Sequence, residues 1–120
     1  MATVQNPICP AKPPLEARLL LRPEQAGEMA ALFKILANDT RLRLLHALAR
    51  AGEMCVAEIS AALTMKPQAI SNQLQHLVAR GILASRRQGL NIFYRIEDPC
   101  VVSLLGYGLC LAEDAKERRK

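Results

Sequence analysis

The sequence predicts a mainly helical domain that carries one small β-hairpin. Apolar residues recur at helical spacing in five segments between residues 23 and 114, and each segment predicts a helix. Two extended stretches, residues 82–87 and 91–96, flank a turn-forming Gln-Gly-Leu and predict the hairpin. The chain has 120 residues, the size of one domain, and its 51% apolar content argues against a disordered chain.

The first 22 residues predict an arm, because prolines are frequent there and no apolar periodicity appears. The first two helices are predicted at residues 24–36 and 40–50. Asp39 is the expected N-cap of the second, and Ala51-Gly52 ends it. A single domain is therefore expected over residues 23–115, between the arm at residues 1–22 and a charged tail at residues 116–120.

The next two helices are short and lie close together in sequence, at residues 53–63 and 67–80. Residues 64–66 form the turn between them, and Pro67 suits the first position of a helix, where its missing N–H costs nothing. Gly81 is the expected left-handed C-cap. After the hairpin, Asp98 is predicted to cap a last helix that starts at Pro99 and runs to about residue 114.

Composition limits the function classes. The net charge of +5 and the pI of about 9.3 suggest a polyanionic partner. No apolar run approaches the length of a membrane span, and the N-terminus lacks the pattern of a signal peptide, so a cytoplasmic location and no membrane partner are predicted. Thiols are mostly reduced there, so the four cysteines are expected to be free thiols or metal ligands rather than two disulfides.

Two short helices joined by a tight turn and followed by a basic hairpin predict a winged helix-turn-helix that binds double-stranded DNA. Gln and Asn suit adenine edges in the major groove, and Arg suits guanine and phosphate. A polar helix face can also be only a solvated face, but the basic hairpin that follows at once favours DNA binding. The predicted DNA-binding residues are Lys66, Gln68, Ala69, Ser71, Asn72, Gln75, His76, Arg86, Arg87 and Gln88.

Residues 28–97 resemble the ArsR/SmtB family of bacterial metal-sensing repressors, through ALFKILANDTRLRLLHAL, GEMCVAEI, KPQAISNQLQHLVARGIL and RRQGLNIFYRI. The resemblance implies a homodimer, joined by the first and last helices, that represses its operon and leaves operator DNA when an inducer binds. Many members have Ser-His-His where this chain has Ser71-Asn72-Gln73, and Ser where it has Lys66. These departures leave the operator sequence open.

The resemblance also implies a cysteine sensor. Many arsenic- and cadmium-sensing relatives carry Glu-Leu-Cys-Val-Cys-Asp-Leu where this chain reads EMCVAEI, so Cys55 is present and Ala57 replaces the second cysteine. In similar sensors the N-terminal arm brings a further cysteine to this helix, and Cys9 is the candidate. Cys55 and Cys9 are therefore predicted metal ligands.

A second candidate site lies on the last helix. By alignment with zinc sensors of the family, Asp98 and Cys100 occupy the first two ligand positions, and Cys110 lies beside the third. Ten residues of helix separate the two cysteines by about 15 Å, so one chain cannot chelate an ion with both. Two such helices packed antiparallel across a dimer could bring Cys100 toward Cys110 of the partner.

Thiolates favour soft ions, so the predicted inducer is As(III), Hg(II), Cd(II) or Pb(II). Each cysteine could instead be an ordinary core or exposed residue, or the chain could be a thiol redox or persulfide sensor on the same fold. In relatives of that kind one cysteine position corresponds to His46, which lies on a predicted core helix and is expected to be a hydrogen-bonded structural residue. No Cys lies near a His in sequence in a catalytic setting, so an enzyme is not expected.

Overall fold

The computed structural model describes residues 12–119, and Cys9 therefore lies outside the described residues. A 3-10 turn at Leu15–Ala17 comes before a mainly helical winged helix-turn-helix, which confirms the predicted fold class. The elements are α1 (Pro23–Leu36), α2 (Asp39–Ala51), β1 (Met54–Cys55), α3 (Val56–Leu63), α4 (Pro67–Ala79), β2 (Leu83–Gln88), β3 (Asn91–Ile96) and α5 (Pro99–Arg118).

The sheet has three antiparallel strands in the order β1-β3-β2, one more than the predicted hairpin. The additional strand, β1, pairs Met54 with Tyr94 and Cys55 with Phe93 of β3. These residues were expected to open a helix at residue 53, and that expectation is wrong because they form backbone pairs with a strand some 40 residues away. Helix α3 consequently begins at Val56.

Apart from the start of α3, the helix ends agree with the predictions to within one residue except at two places. The N-cap of α2 is Asn38 rather than Asp39, because Asn38 Oδ1 accepts the Arg41 backbone N–H at 3.0 Å. Helix α5 continues to Arg118, so part of the predicted tail is helical. Gly81 has the positive φ of +77° that was expected at the C-terminal end of α4.

The core is aliphatic and lies between α2, α3 and α4. Apolar residues of these helices recur on one face, and burying each such side chain contributes about 1.5–3 kcal/mol. The buried face of α4 packs into this core, and its polar face remains in solvent. The fully buried side chains are Leu44, Leu45, Leu48, Ile59, Ile70, Leu74 and Leu77.

Helices α1 and α5 bury much less of their apolar surface than the core helices do. Between them and α2 lies an open apolar groove of about 740 Å³. His46 stands on a core helix, as predicted, but its side chain is exposed and lines this groove. The set that we call the apolar face consists of Met29, Leu32, Phe33, Tyr107, Leu109 and Leu111, all exposed.

Candidate nucleic-acid interface and cysteine sites

The turn between α3 and α4 sets the direction of α4. Thr64 adopts a left-handed backbone conformation with φ of 54°, which a β-branched residue rarely does. The Ser60 hydroxyl donates to the Met65 carbonyl oxygen, and the Met65 N–H donates to the Ser60 carbonyl oxygen at 3.1 Å. Sequence analysis predicted the turn but missed Ser60, whose role depends on a contact that no motif signals.

Helix α4 presents most of its predicted DNA-binding side chains to solvent. Gln68 Nε2 donates to Asn72 Oδ1 at 3.1 Å, and Gln75 Nε2 donates to Ser71 Oγ at 3.5 Å. Both pairs are four residues apart, the spacing that places side chains one above the other on a helix. We call this set the polar row: Gln68, Ser71, Asn72, Gln75 and His76, of which only Ser71 is half-buried.

The two predicted residues at the start of α4 are also exposed. Lys66 is the N-cap and makes no capping hydrogen bond with its side chain, as expected for an amine. Ala69 lies one turn into the helix and is open to solvent. A small side chain here lets the backbone of α4 approach a partner closely.

Gln73 does not join the polar row. Its Oε1 accepts the Arg41 Nε–H at 2.6 Å, and Arg41 also donates through Nη1 to the Ile35 carbonyl oxygen at 2.9 Å. Arg41 thus joins the end of α1 to the middle of α4. Sequence analysis missed this link, because the three residues lie in three separate elements.

The hairpin β2–β3, which we call the wing, uses one of its arginines internally. Both carboxylate oxygens of Glu53 accept hydrogen bonds from Arg86, Oε1 from Nη2 at 2.6 Å and Oε2 from Nε at 2.8 Å. Arg86 Nη1 donates to Gln88 Oε1 at 2.7 Å, and the guanidinium lies 5.0 Å from the centre of the Phe93 ring. Arg87 is exposed, and no described residue holds its guanidinium.

This ion pair shifts both titrating groups. The hydrogen bonds from Arg86 hold the pKa of Glu53 below its ordinary value, and they raise the pKa of Arg86 in turn. Both groups therefore stay charged at neutral pH. Of the predicted wing residues, Arg86 and Gln88 are thus engaged with other side chains, and Arg87 remains available to a partner.

The predicted metal ligands lie on separate elements. Cys55 is a half-buried free thiol at the N-cap of α3, and its backbone N–H donates to Glu58 Oε1 at 3.0 Å. Asp98 caps α5 as predicted, since its Oδ1 accepts the Cys100 N–H at 2.9 Å. Cys110 is an exposed free thiol.

Cys100 differs from the expectation of a free thiol, because it is disulfide-bonded. A disulfide and a thiolate metal site have one requirement in common, the close approach of sulfur atoms. Among residues 12–119, no group of three or more His, Cys, Asp or Glu side chains could hold a metal ion. A complete donor set would therefore have to draw on Cys9 or on a second copy of the chain.

None of the helices in the described part of the chain combines the length and the apolar character that a membrane span requires. The profile described as "Bacterial regulatory protein, arsR family" matches residues 38–85, which run from the N-cap of α2 into β2.

Three known proteins show how far the similarity extends. The arsenic resistance transcriptional regulator ArsR1 of Pseudomonas putida is 45% identical over 65 residues, 54% of this chain and 51% of that protein. The crystal structure of the AntR antimony-specific transcriptional repressor is 59% identical, with a TM-score of 0.78, over 91% of this chain and 98% of that one. A homodimeric winged helix-turn-helix DNA-binding domain from Mycobacterium bovis, solved by NMR, is 31% identical with a TM-score of 0.70, over 84% and 95% of the two chains.

The chain spans between about half and three fifths of the length of the first curated relatives that it matches, 61%, 51% and 56%. By contrast, it covers nearly all of the antimony-specific repressor structure. The profile match includes all of α3 and α4 and the first three residues of β2, so the polar row lies inside it.

Proposed function

Because the chain belongs to the ArsR family of bacterial transcriptional regulators, we propose that it represses transcription by binding operator DNA as a homodimer. The observation that carries this proposal is the polar row of α4. It stands in solvent on a helix whose opposite side is fully buried, and such a helix can enter a major groove without unfolding. Arg87 of the wing adds a cation that can reach the phosphates beside it.

The homodimer is supported by the apolar face. Soluble monomers rarely expose large apolar patches, and here two helices expose six large apolar side chains, of which Phe33 and Leu109 line the groove. A second copy that packs its α1 and α5 against this face would cover it. The M. bovis domain of the same fold is homodimeric, and a two-fold dimer places two recognition helices in successive major grooves about 34 Å apart.

The proposed inducer is a soft thiophilic ion that binds cysteine thiolates. Cys55 is a free thiol beside the wing, and Cys9 is the proposed second ligand, with Cys100, Cys110 and Asp98 forming the alternative site on α5. Sulfur donors favour As(III), Hg(II), Cd(II) and Pb(II). Antimony(III) joins this set because of the 59% identical antimony-specific repressor, and donor chemistry alone had not singled it out.

Repression and release then follow from linkage. An ion that binds one form of the dimer more tightly shifts the population toward that form, in which the two α4 helices no longer match successive grooves. Coupling of about 1–3 kcal/mol changes DNA affinity by roughly 5–150-fold. The protein's own contribution is to hold the thiolates and to transmit their movement to α4 and the wing.

The test is fluorescence anisotropy of labelled operator, taken from upstream of the gene, with reduced protein. Antimonite, arsenite and Cd(II), Hg(II), Pb(II) and Zn(II) salts are added in turn. We expect release by a soft ion at about one equivalent per site. The double change Cys9→Ala with Cys55→Ala should abolish release and leave DNA binding intact, whereas Cys100→Ala with Cys110→Ala should change neither. The reverse pattern would place the site on α5, and release that survives in both variants would overturn the thiolate proposal.

A second candidate, a thiol redox or persulfide sensor, is favoured by one observation, the disulfide-bonded state of Cys100. In that case oxidation alone changes DNA affinity. Operator binding by reduced and by oxidised protein, both in chelator, separates the two functions. Loss of binding on oxidation, with no response to any ion, would support the redox sensor.

A further inference from the structure

The sheet places the free thiol in one row with two residues of the wing. Cys55 pairs with Phe93, and Phe93 pairs with Arg86, so the three residues lie side by side across β1, β3 and β2. Directly paired residues of antiparallel strands project from the same face of a sheet. The Cys55 thiol, the Phe93 ring and the Arg86 guanidinium therefore share one face.

Glu53, the residue directly before β1, joins this row. It lies two residues before Cys55, and its carboxylate reaches Arg86 of β2 in a two-point ion pair. Glu53 and Arg86 are 33 residues apart in sequence, and their side chains are 29% and 45% exposed. We call the set Glu53, Arg86, Gln88 and Phe93 the clasp, because it connects the start of β1 to β2, on the far side of β3.

The contacts of the clasp fix the relative orientation of the Glu53 carboxylate and the Arg86 guanidinium. A guanidinium and a carboxylate that meet through two parallel hydrogen bonds fix each other's orientation, which one-point contacts do not. The Phe93 ring below the guanidinium limits its position further. A shift of β1 relative to β3 would therefore break the pairing of Glu53 with Arg86, and would not merely stretch it.

We propose that the clasp transmits the state of Cys55 to the wing, so that Arg86 is a positioning residue and not a DNA contact. This inference rests on the proposed function, in which an ion binds the Cys55 thiolate and α4 with the wing binds DNA. Strand β1 is held to β3 by only two residue pairs, and one of them contains Cys55. Ion binding that moves Cys55 also moves Glu53, releases Arg86 and frees the wing from its DNA-binding orientation.

The alternative role for Arg86 is a phosphate contact. Its charge is already matched by Glu53, so a phosphate would have to compete with an intact two-point ion pair. Arg87, the next residue, faces no such competition. The two arginines are thus assigned different tasks, Arg86 inside the protein and Arg87 toward DNA.

The test compares Glu53→Gln with Glu97→Gln. Glu97 forms a single hydrogen-bonded ion pair with Arg95 at 3.4 Å near the same sheet, so it is a matched control with no link to Cys55. Operator affinity is measured with and without antimonite, and separately with and without Cd(II). Ion stoichiometry is followed by thiolate-to-metal absorbance.

For the Glu53→Gln variant we expect unchanged ion stoichiometry and a lower ion-free operator affinity, because the wing has already lost the contact that orients it. The affinity ratio with and without ion should therefore drop by about tenfold. Glu97→Gln should keep the wild-type ratio. A wild-type ratio in the Glu53→Gln variant would overturn the inference while leaving the proposed function standing. If wild-type protein responds to neither ion, the proposed function fails, and the clasp has nothing to transmit.

Arg86→Gln provides a second, independent measurement, the dependence of operator affinity on salt. Loss of one phosphate contact lowers the slope of log affinity against log salt by about one. We expect Arg86→Gln to leave the slope unchanged and Arg87→Gln to lower it. A lower slope for Arg86→Gln would make Arg86 a DNA contact and would overturn its positioning role.

Discussion

On α2, α3 and α4, seven apolar side chains are fully buried within a single chain, whereas on α1 and α5 six large apolar side chains remain exposed. The first region also has side-chain hydrogen bonds that hold its helices, through Ser60 and Arg41. The second has an open groove and no comparable network among the described residues. One chain therefore builds the polar row by itself, whereas in the proposed dimer a second copy covers the apolar face.

The largest effect is expected from a charged substitution in the apolar face. Leu109→Glu would bury an unpaired carboxylate twice in the proposed dimer, and we expect dimer affinity to fall by roughly a thousandfold. Operator binding should fall with it, while a monomer retains its helical content. Sedimentation and circular dichroism measure these quantities. The control is Leu90→Glu, at the wing tip and 99% exposed, and a dimer that survives Leu109→Glu would break the comparison.

In the core of α2, α3 and α4, Leu74→Ala removes a fully buried side chain. We expect a loss of about 2–5 kcal/mol of unfolding free energy, because the cavity cannot collapse completely. Urea unfolding at one fixed protein concentration gives the value, since a dimer's stability depends on concentration. Leu90→Ala, at an exposed site, should change it by less than about 0.5 kcal/mol. An equally small change for Leu74→Ala would contradict the assignment of α4 to the core.

A smaller effect is expected at the link between the two regions. Arg41→Lys cannot reproduce both the bond to Gln73 and the bond to the Ile35 carbonyl, so we expect a loss of about 1–2 kcal/mol. Operator affinity should also fall, because α4 is then held less firmly. Arg50→Lys, at the exposed C-terminal end of the same helix and outside the groove, is the control. If both variants bind operator like the wild type, the two regions are not coupled through Arg41.

The smallest effect concerns pH. The pKa of Glu53 is lowered by Arg86, so its stabilising ion pair is fully present above the ordinary value of 4.5 and is lost as pH falls through the lowered value. Thermal unfolding of wild type and of Glu53→Gln should therefore differ at neutral pH and converge in acid. A difference that grows in acid would contradict the sign of the shift.

Much of this architecture could be predicted from local patterns. Pro67 and Gly81 mark the ends of α4, and the polar row follows from helical spacing once those ends are known. Asn38 and Asp39 are both good N-caps, and only the backbone geometry decides between them. The segment KERRK has no apolar residues, so it shows no apolar periodicity. The end of α5 was therefore predicted near residue 114 rather than at Arg118.

The remaining features depend on residues that are distant in sequence. A strand of two residues, Met54 and Cys55, has no periodicity of its own, and only its pairing with β3 defines it. The sequence predicts Arg86 as a DNA contact. Its ion pair with Glu53 could not be foreseen, because the two residues are 33 positions apart. The contacts that the sequence does not signal are thus long-range ones, those of Ser60, Arg41 and Glu53, whereas the solvent exposure of the polar row follows from helical spacing.

The shortness of β1 also affects how often this strand opens. A strand held by two residue pairs at the edge of a sheet opens by local fluctuation far more often than the whole domain unfolds. Amide hydrogens of Met54 and Cys55 should accordingly exchange with solvent deuterium long before those of Leu44 or Leu74. The half-buried Cys55 thiol shares these brief openings, so the rate at which a reagent reaches it reports native-state fluctuation rather than unfolding.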